Sequence, residues 1–229
     1  YRNRYVRTTL YDDPGADSGE AMMDLAKSAA NTHVIHHAGK ILALEEAHLP
    51  WEVSPELDTI KAWDFDGKLE TPMTAHPKVC PVTGELLFFA YGIFPPYLTY
   101  HRANAQGELV QSEQITVPGG TMMHDFNVTR NHVVFMDLPV CFNLGALETG
   151  MPFQFDRDAG ARLGVMPRNG TNDDVRWFEI EPCYVFHPVN AHEEGNTIVL
   201  HVSRQPEAFG TSNDDYAEVG RFWKWTIDL

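Results

Sequence analysis

Cations are scarce in this chain: 17 Lys and Arg face 32 Asp and Glu, for a formal net charge of −15 at pH 7. Nucleic-acid binding draws its affinity from a surplus of Lys and Arg over phosphates, so that class of partner is excluded and an anionic membrane surface is disfavoured. The acidic excess reads most simply as a solvating surface. No stretch approaches the roughly 18 apolar residues of a bilayer-spanning helix. Peripheral contact with a membrane stays open. Cysteines number three, Cys80, Cys141 and Cys183, with no CxxC pair. An odd count without a framework points to reduced thiols and a cytoplasmic setting. No signal peptide is visible, but the chain opens on Tyr1-Arg-Asn-Arg-Tyr-Val-Arg7 without an initiator Met and reads like the inside of a domain, so that absence weighs little. Also missing are a phosphate-binding glycine loop (Gly119-Gly120 is isolated), a GxSxG elbow and an HExxH pair, since His192-Glu-Glu194 lacks the second His. A Ser-His-Asp hydrolase stays open, yet nothing nominates its nucleophile.

What the chain does have is hydrophobic content of 43% and aromatic content of 11%, enough for a sizeable core. Tyr5 to Tyr11 reads as a strand, and Ser18 to Ala30 as a short helix with a Ser N-cap. From Thr32 onward the texture is β. Thr32–His37 and Ile41–Leu44 flank a turn at Ala38-Gly-Lys40, and Asp66-Gly67 is a hairpin signal. Further strands are expected at 78–80, 86–90, 97–102, 109–110, 114–117, 133–136, 175–180, 197–202 and 222–227. Leu144 to Asn172, rich in Gly, Asp and Pro, reads as a loop or insertion. Short strands at regular spacing suggest a sandwich, a barrel or a propeller. No domain boundary is visible, so residues 1–229 are expected to form a single domain.

Eleven histidines are present, and most must be bystanders. His48, His101 and His132 lie at turns or strand edges. His33, His36 and His37 share one strand whose alternate faces cannot all look inward, and His201 fits a core position. His76, His124 and His187 stand apart. Each sits where a strand starts or ends, and two are followed by Pro, which stiffens the local backbone. They lie about 48 and 63 residues apart, on the order of one propeller blade plus insertions. One imidazole per blade would bring all three to a common axis, where imidazole suits Fe, Zn, Cu or Ni.

Asn31-Thr32, Ala38 to Glu46, Leu49-Pro50, Thr74-Ala-His-Pro77, Met123-His-Asp-Phe126, Gly164 to Arg168 and Phe186 to Glu194 together resemble, in order and across nearly the whole chain, the carotenoid cleavage oxygenases. That family includes apocarotenoid- and stilbene-cleaving dioxygenases and the retinal-pigment isomerase. The resemblance implies an all-β fold, a seven-bladed β-propeller of which this chain supplies about four blades, with residues 1–229 one propeller domain incomplete at both ends. It implies a non-haem Fe(II) on the axis that works with O2 to cleave a conjugated C=C bond of an apolar substrate into two carbonyl products. His76, His124 and His187 match the first three of four iron-binding histidines. Glu46 matches a carboxylate that hydrogen-bonds a ligand imidazole, and Thr32 a side chain near an open iron position. Phe186, Phe94 and Tyr97 are aromatic candidates for lining the substrate tunnel. The fourth histidine and two further glutamates have no counterpart here, and His192 stands where relatives usually have Tyr or Phe. Stilbene-cleaving relatives often carry Lys where this chain has Glu45, which leans the reading towards an apocarotenoid or similar alkene. The alternatives are a stilbene-cleaving enzyme, a metal-dependent propeller hydrolase, and a propeller that only binds or scaffolds.

Overall fold

The computed structural model describes residues 2–14, 24–143, 145, 152–209 and 220–229. Among them, regular structure is strand, apart from one helical turn and short 3-10 turns. The chain forms two compact units, one of residues 1–90 and 99–113, the other of residues 91–98 and 114–229.

The first unit opens with α1 (Thr9–Asp12), a single helical turn where a strand was expected. Thr8 is its N-cap and accepts from the Tyr11 N–H at 3.3 Å, so a local side-chain bond outcompetes strand pairing. The helix expected over Ser18 to Ala30 falls partly outside the described residues. In the described part no helix forms, because Asp24 Oδ1 takes the Ala26 N–H and Ser28 Oγ takes the Ala30 N–H, each at 3.0 Å.

Two four-stranded antiparallel sheets follow. The first runs in sequence order through β1 (His33–His37), β2 (Lys40–Leu44), β3 (Trp51–Val53) and β4 (Thr59–Ala62). Its first hairpin has a two-residue turn, with Ala38 at φ 48° and Gly39 at φ 78°. Positive φ at both central positions matches the natural twist of the flanking strands. The second sheet comprises β5 (Lys78–Val79), β6 (Leu86–Tyr91), β7 (Leu98–Ala103) and β8 (Leu109–Gln114), again in order. β6 is buried on both faces whereas β8 alternates half-buried and exposed residues, which is the signature of a central strand and an edge strand. Leu42, Leu44, Phe65, Met73, Leu86 and Phe88 form the core of this unit. Each such side chain, fully buried, contributes about 1.5–3 kcal/mol.

The second unit contains β9 (Asn127–Val128), β10 (His132–Asp137), β11 (Val140–Phe142), β12 (Phe153–Phe155), β13 (Ala161–Pro167), β14 (Arg176–Ile180), β15 (Pro188–Glu194), β16 (Thr197–Arg204) and β17 (Arg221–Asp228). They make a sheet in the order β14-β13-β10-β9, a β11-β12 ribbon and a β15-β16-β17 meander. Val134, Met136, Leu163, Val165, Ile198, Leu200 and Val202 fill the core between these sheets.

The stretch expected to be a loop, Leu144 to Asn172, therefore contains two strands, although 144 and 146–151 lie outside the described residues. β13 is an interior strand, and Arg162 and Gly164 mask it by interrupting the continuous apolar run expected of one. Both residues serve the same neighbour. The Arg162 guanidinium lies 3.8 Å over the Trp177 ring, and Gly164, paired with Trp177, leaves room for that ring, which a Cβ would approach to 2.7 Å.

Candidate metal centre

His124 and His187 are both in the second unit and face each other. Their Nε2 atoms are 3.1 Å apart, and the ring planes cross at 70°. His124 precedes β9, after a segment whose Met122 N–H donates to the Val140 carbonyl at 2.8 Å. His187 immediately precedes β15, and Pro188 opens that strand. His124 is half-buried and His187 exposed. Phe186 meets His124 edge-on at 5.7 Å and packs against Tyr184 and Phe209, so an apolar wall stands on one side of the imidazole pair.

The spacing of the two nitrogens can be tested against a metal ion. Two ligands with bonds of about 2.1 Å and a right angle at the ion have donor atoms about 3 Å apart, while a tetrahedral angle opens that to about 3.4 Å. The observed 3.1 Å fits two cis positions of an octahedral ion, the geometry in which non-haem iron keeps open positions. These residues fit the group that the resemblance implies.

His76 lies in the first unit, in a turn tied to its own neighbours. Its N–H donates to Thr74 Oγ1 at 3.1 Å, and the Thr74 N–H donates to the Phe89 carbonyl in β6 at 2.8 Å. His33, read from sequence as a bystander, supports the same turn: its Nδ1–H donates to the Ala75 carbonyl at 2.8 Å, and its ring centroid is 6.3 Å from that of His76. The only sequence signal for this was its alternation with Ile35 and His37 on one strand. Glu46 sits half-buried in the turn after β2. Thr32 is exposed just before β1, with its N–H on the Leu44 carbonyl at 3.0 Å and its hydroxyl donating to Asn31 Oδ1 at 3.1 Å. Burial pushes the Glu45 carboxyl up, but hydrogen bonds from His48 and the Ala47 N–H outweigh it and hold Glu45 below the usual range.

Of the aromatic candidates, Phe186 packs against the imidazole pair. Phe94 is exposed in the 92–97 loop of the second unit, and Tyr97 is half-buried at its end. The Gly92 N–H donates to the Tyr97 carbonyl at 3.0 Å and closes that loop. Two further residues, which tie together the segments that carry the pair, escaped sequence reasoning. The buried Tyr184 donates its hydroxyl to the Met122 carbonyl at 2.8 Å. Glu193 accepts from Thr129, Asn131 and His132.

The family model described as retinal pigment epithelial membrane protein matches residues 1–229. The chain belongs to that family, the carotenoid cleavage oxygenases. It is 43% identical over 177 residues to a carotenoid 9,10(9',10')-cleavage dioxygenase of Crocus sativus, covering 74% of this chain and 32% of the relative. It is 35% identical over 242 residues to an isoeugenol monooxygenase of Pseudomonas putida, covering 100% of this chain and 48% of that protein. Among solved structures, the lignostilbene dioxygenase of Pseudomonas brassicacearum superimposes with a TM-score of 0.80 at 33% identity, covering 89% of this chain and 45% of that one. The chain thus spans about half the length of such relatives, or less. The fold class read from sequence, an all-β protein of the propeller type, agrees with these neighbours. Among the described residues no helix is long and apolar enough to cross a membrane.

Proposed function

We propose that the whole protein is a non-haem Fe(II)-dependent dioxygenase that cleaves a conjugated C=C bond of an apocarotenoid or similar apolar alkene with O2, giving two carbonyl products. The observation that carries this reading is the convergence of His124 and His187 at metal-ligand spacing, in a chain of this family. His76, His124 and His187 are the ligands on this reading, and Glu46 orients a ligand imidazole, which holds the tautomer and raises ligand basicity. When bound, iron supplies O2 activation. The three histidines would hold the ion, Thr32 would stand near it as the resemblance implies, and the chain would present apolar surface to the substrate. Phe186 supplies that surface next to the imidazoles, with Phe94 and Tyr97 as further contacts. No acid or base side chain is required. Three cysteines, an odd count with no CxxC pair, support a cytoplasmic setting.

A second reading, a phenylpropenoid or stilbene substrate, is favoured by the likeness to isoeugenol monooxygenase and lignostilbene dioxygenase. Glu45 weighs against it. A carboxylate held below its usual range, with His48 and Ala47 hydrogen-bonded to it, presents negative charge where a phenol-binding lysine would present a cation. Incubating the full-length, iron-loaded protein with an apocarotenoid and with a stilbene, followed by mass analysis for aldehydes, separates the two. His124→Ala is expected to lose both iron and aldehyde release. Retention of full iron content by that variant would refute the site.

A further inference from the structure

The two segments that carry the facing histidines run from Met122 to His132 and from Tyr184 to Glu193, and they are tied together on both sides of the imidazole pair. On one side, the Tyr184 hydroxyl, three residues before His187, donates to the carbonyl of Met122, two residues before His124, at 2.8 Å. Tyr184 is 1% exposed, so this bond is shielded from competing water. On the other side, Glu193 of β15 gathers the turn between β9 and β10. It accepts from Thr129 Oγ1 at 2.5 Å, from the Asn131 N–H at 2.9 Å, from Asn131 Nδ2 at 2.6 Å and from His132 Nδ1 at 3.0 Å. Between these ties lies the 3.1 Å contact of His124 Nε2 with His187 Nε2. β9 also runs beside β15, so the two segments and two ties form a closed frame around the pair.

We propose that Tyr184 and Glu193 are positioning residues whose two ties preset the His124–His187 spacing for a divalent metal ion. This rests on the reading that these histidines bind a metal. The physical argument is preorganisation. Two imidazoles on separate strand ends lose affinity if their segments must first be brought to cis-ligand spacing, and a frame closed on both sides removes that cost before the ion arrives. The two ties are of unequal strength. Tyr184 makes one neutral bond, whereas Glu193 is a carboxylate with four donors, and bonds to charged groups are the stronger kind. A merely structural role predicts a loss of stability alone. A positioning role predicts a loss of metal affinity and a change in the ion's ligand field.

The test titrates Co(II), an air-stable probe with a visible ligand-field spectrum, into metal-free full-length protein. The set is wild type, Tyr184→Phe, Glu193→Ala, Glu193→Gln, His124→Ala, and Asn143→Ala, which removes a 2.7 Å bond to Gln154 elsewhere in the same unit. Calorimetry gives Kd, absorption gives the d–d bands, and circular dichroism gives Tm. Tyr184→Phe keeps the ring and is expected to weaken Co(II) about five- to tenfold, as for one hydrogen bond. Glu193→Ala is expected to weaken it about ten- to a hundredfold, with Glu193→Gln between the two because one acceptor oxygen survives. Both ties should shift the d–d bands, and Asn143→Ala should change neither Kd nor bands, whatever its Tm. If wild type binds Co(II) and loses it in His124→Ala, but Tyr184→Phe and Glu193→Gln bind it as wild type does, the clamp is overturned. If wild type and His124→Ala bind Co(II) alike, the metal reading beneath it falls instead.

Discussion

Protonating His101 opposes folding, and the size of that opposition follows from its surroundings. The ring is 2% exposed and stacks on Phe88 at 4.9 Å. Thr71 Oγ1 donates its only proton to the Pro72 carbonyl at 3.0 Å, so it accepts from His101 Nε2–H at 2.9 Å. His101 Nδ1 is then the bare nitrogen and accepts from the Ser112 hydroxyl at 2.9 Å. A neutral imidazole satisfies this network completely. Burial pulls its pKa from 6.5 down to about 4. In the unfolded chain the ring takes up a proton near pH 6.5, while the folded protein refuses it until about pH 4. Stability is therefore intact above about pH 6.5, falls between there and about pH 4, and falls no further below. The loss amounts to about 2 kcal/mol by pH 5 and about 3 kcal/mol by pH 4. Urea unfolding of full-length wild type and His101→Gln at pH 7.5, 5 and 4 reads it directly, because other titrating groups cancel in the difference. At pH 7.5 the variant should be the less stable, by about 1–2 kcal/mol for its lost stacking and imperfect hydrogen bonds. At pH 4 it should be the more stable. A wild-type advantage that stays constant across the three pH values would refute the reasoning.

Gly164→Ala puts a methyl about 2.7 Å from Trp177, whose ring the Arg162 guanidinium also covers. That overpacking should cost about 1–3 kcal/mol and lower Tm by roughly 2–4 °C for each kcal/mol, which calorimetry checks. For Glu193, burial pushes the carboxyl up, but the hydrogen bonds from Thr129, Asn131 and His132 prevail and bring it from 4.5 down to about 2. Its contribution is present above pH 4.5 and drains as pH falls towards 2. Glu193→Gln should flatten that limb of the acid-unfolding curve, and an unchanged limb would argue against the assigned bonds.

Much of the fold was readable in the chain, because strand pairing in an up-and-down sheet is local. The Ala38-Gly39 turn, the Pro81–Gly84 turn and the Asn104–Gly107 turn each join strands that do pair. The errors have equally local causes. Thr8 caps a helical turn where the apolar pattern suggested a strand, and Asp24 and Ser28 draw backbone N–H groups away from a helix. β13 was missed because Arg162 and Gly164 look like loop residues until Trp177 is placed against them.

Composition and order alone determined that this is an acidic, cysteine-poor, all-β chain, and its motifs marked His76, His124 and His187 among eleven histidines. Alternation and turn chemistry act over a few residues, and motifs lie in the linear text, so neither needs three dimensions to be read. Only the tertiary structure decided that His124 and His187 stand 3.1 Å apart, and that Tyr184 and Glu193 close a frame around them. It also moved His33 from bystander to support of the His76 turn, and His101 from strand-edge residue to buried neutral ring. Those facts depend on contacts between residues about 30 to 60 positions apart. The chain sets such contacts only when its sheets pack, and no periodicity along the sequence encodes which donor will meet which carbonyl.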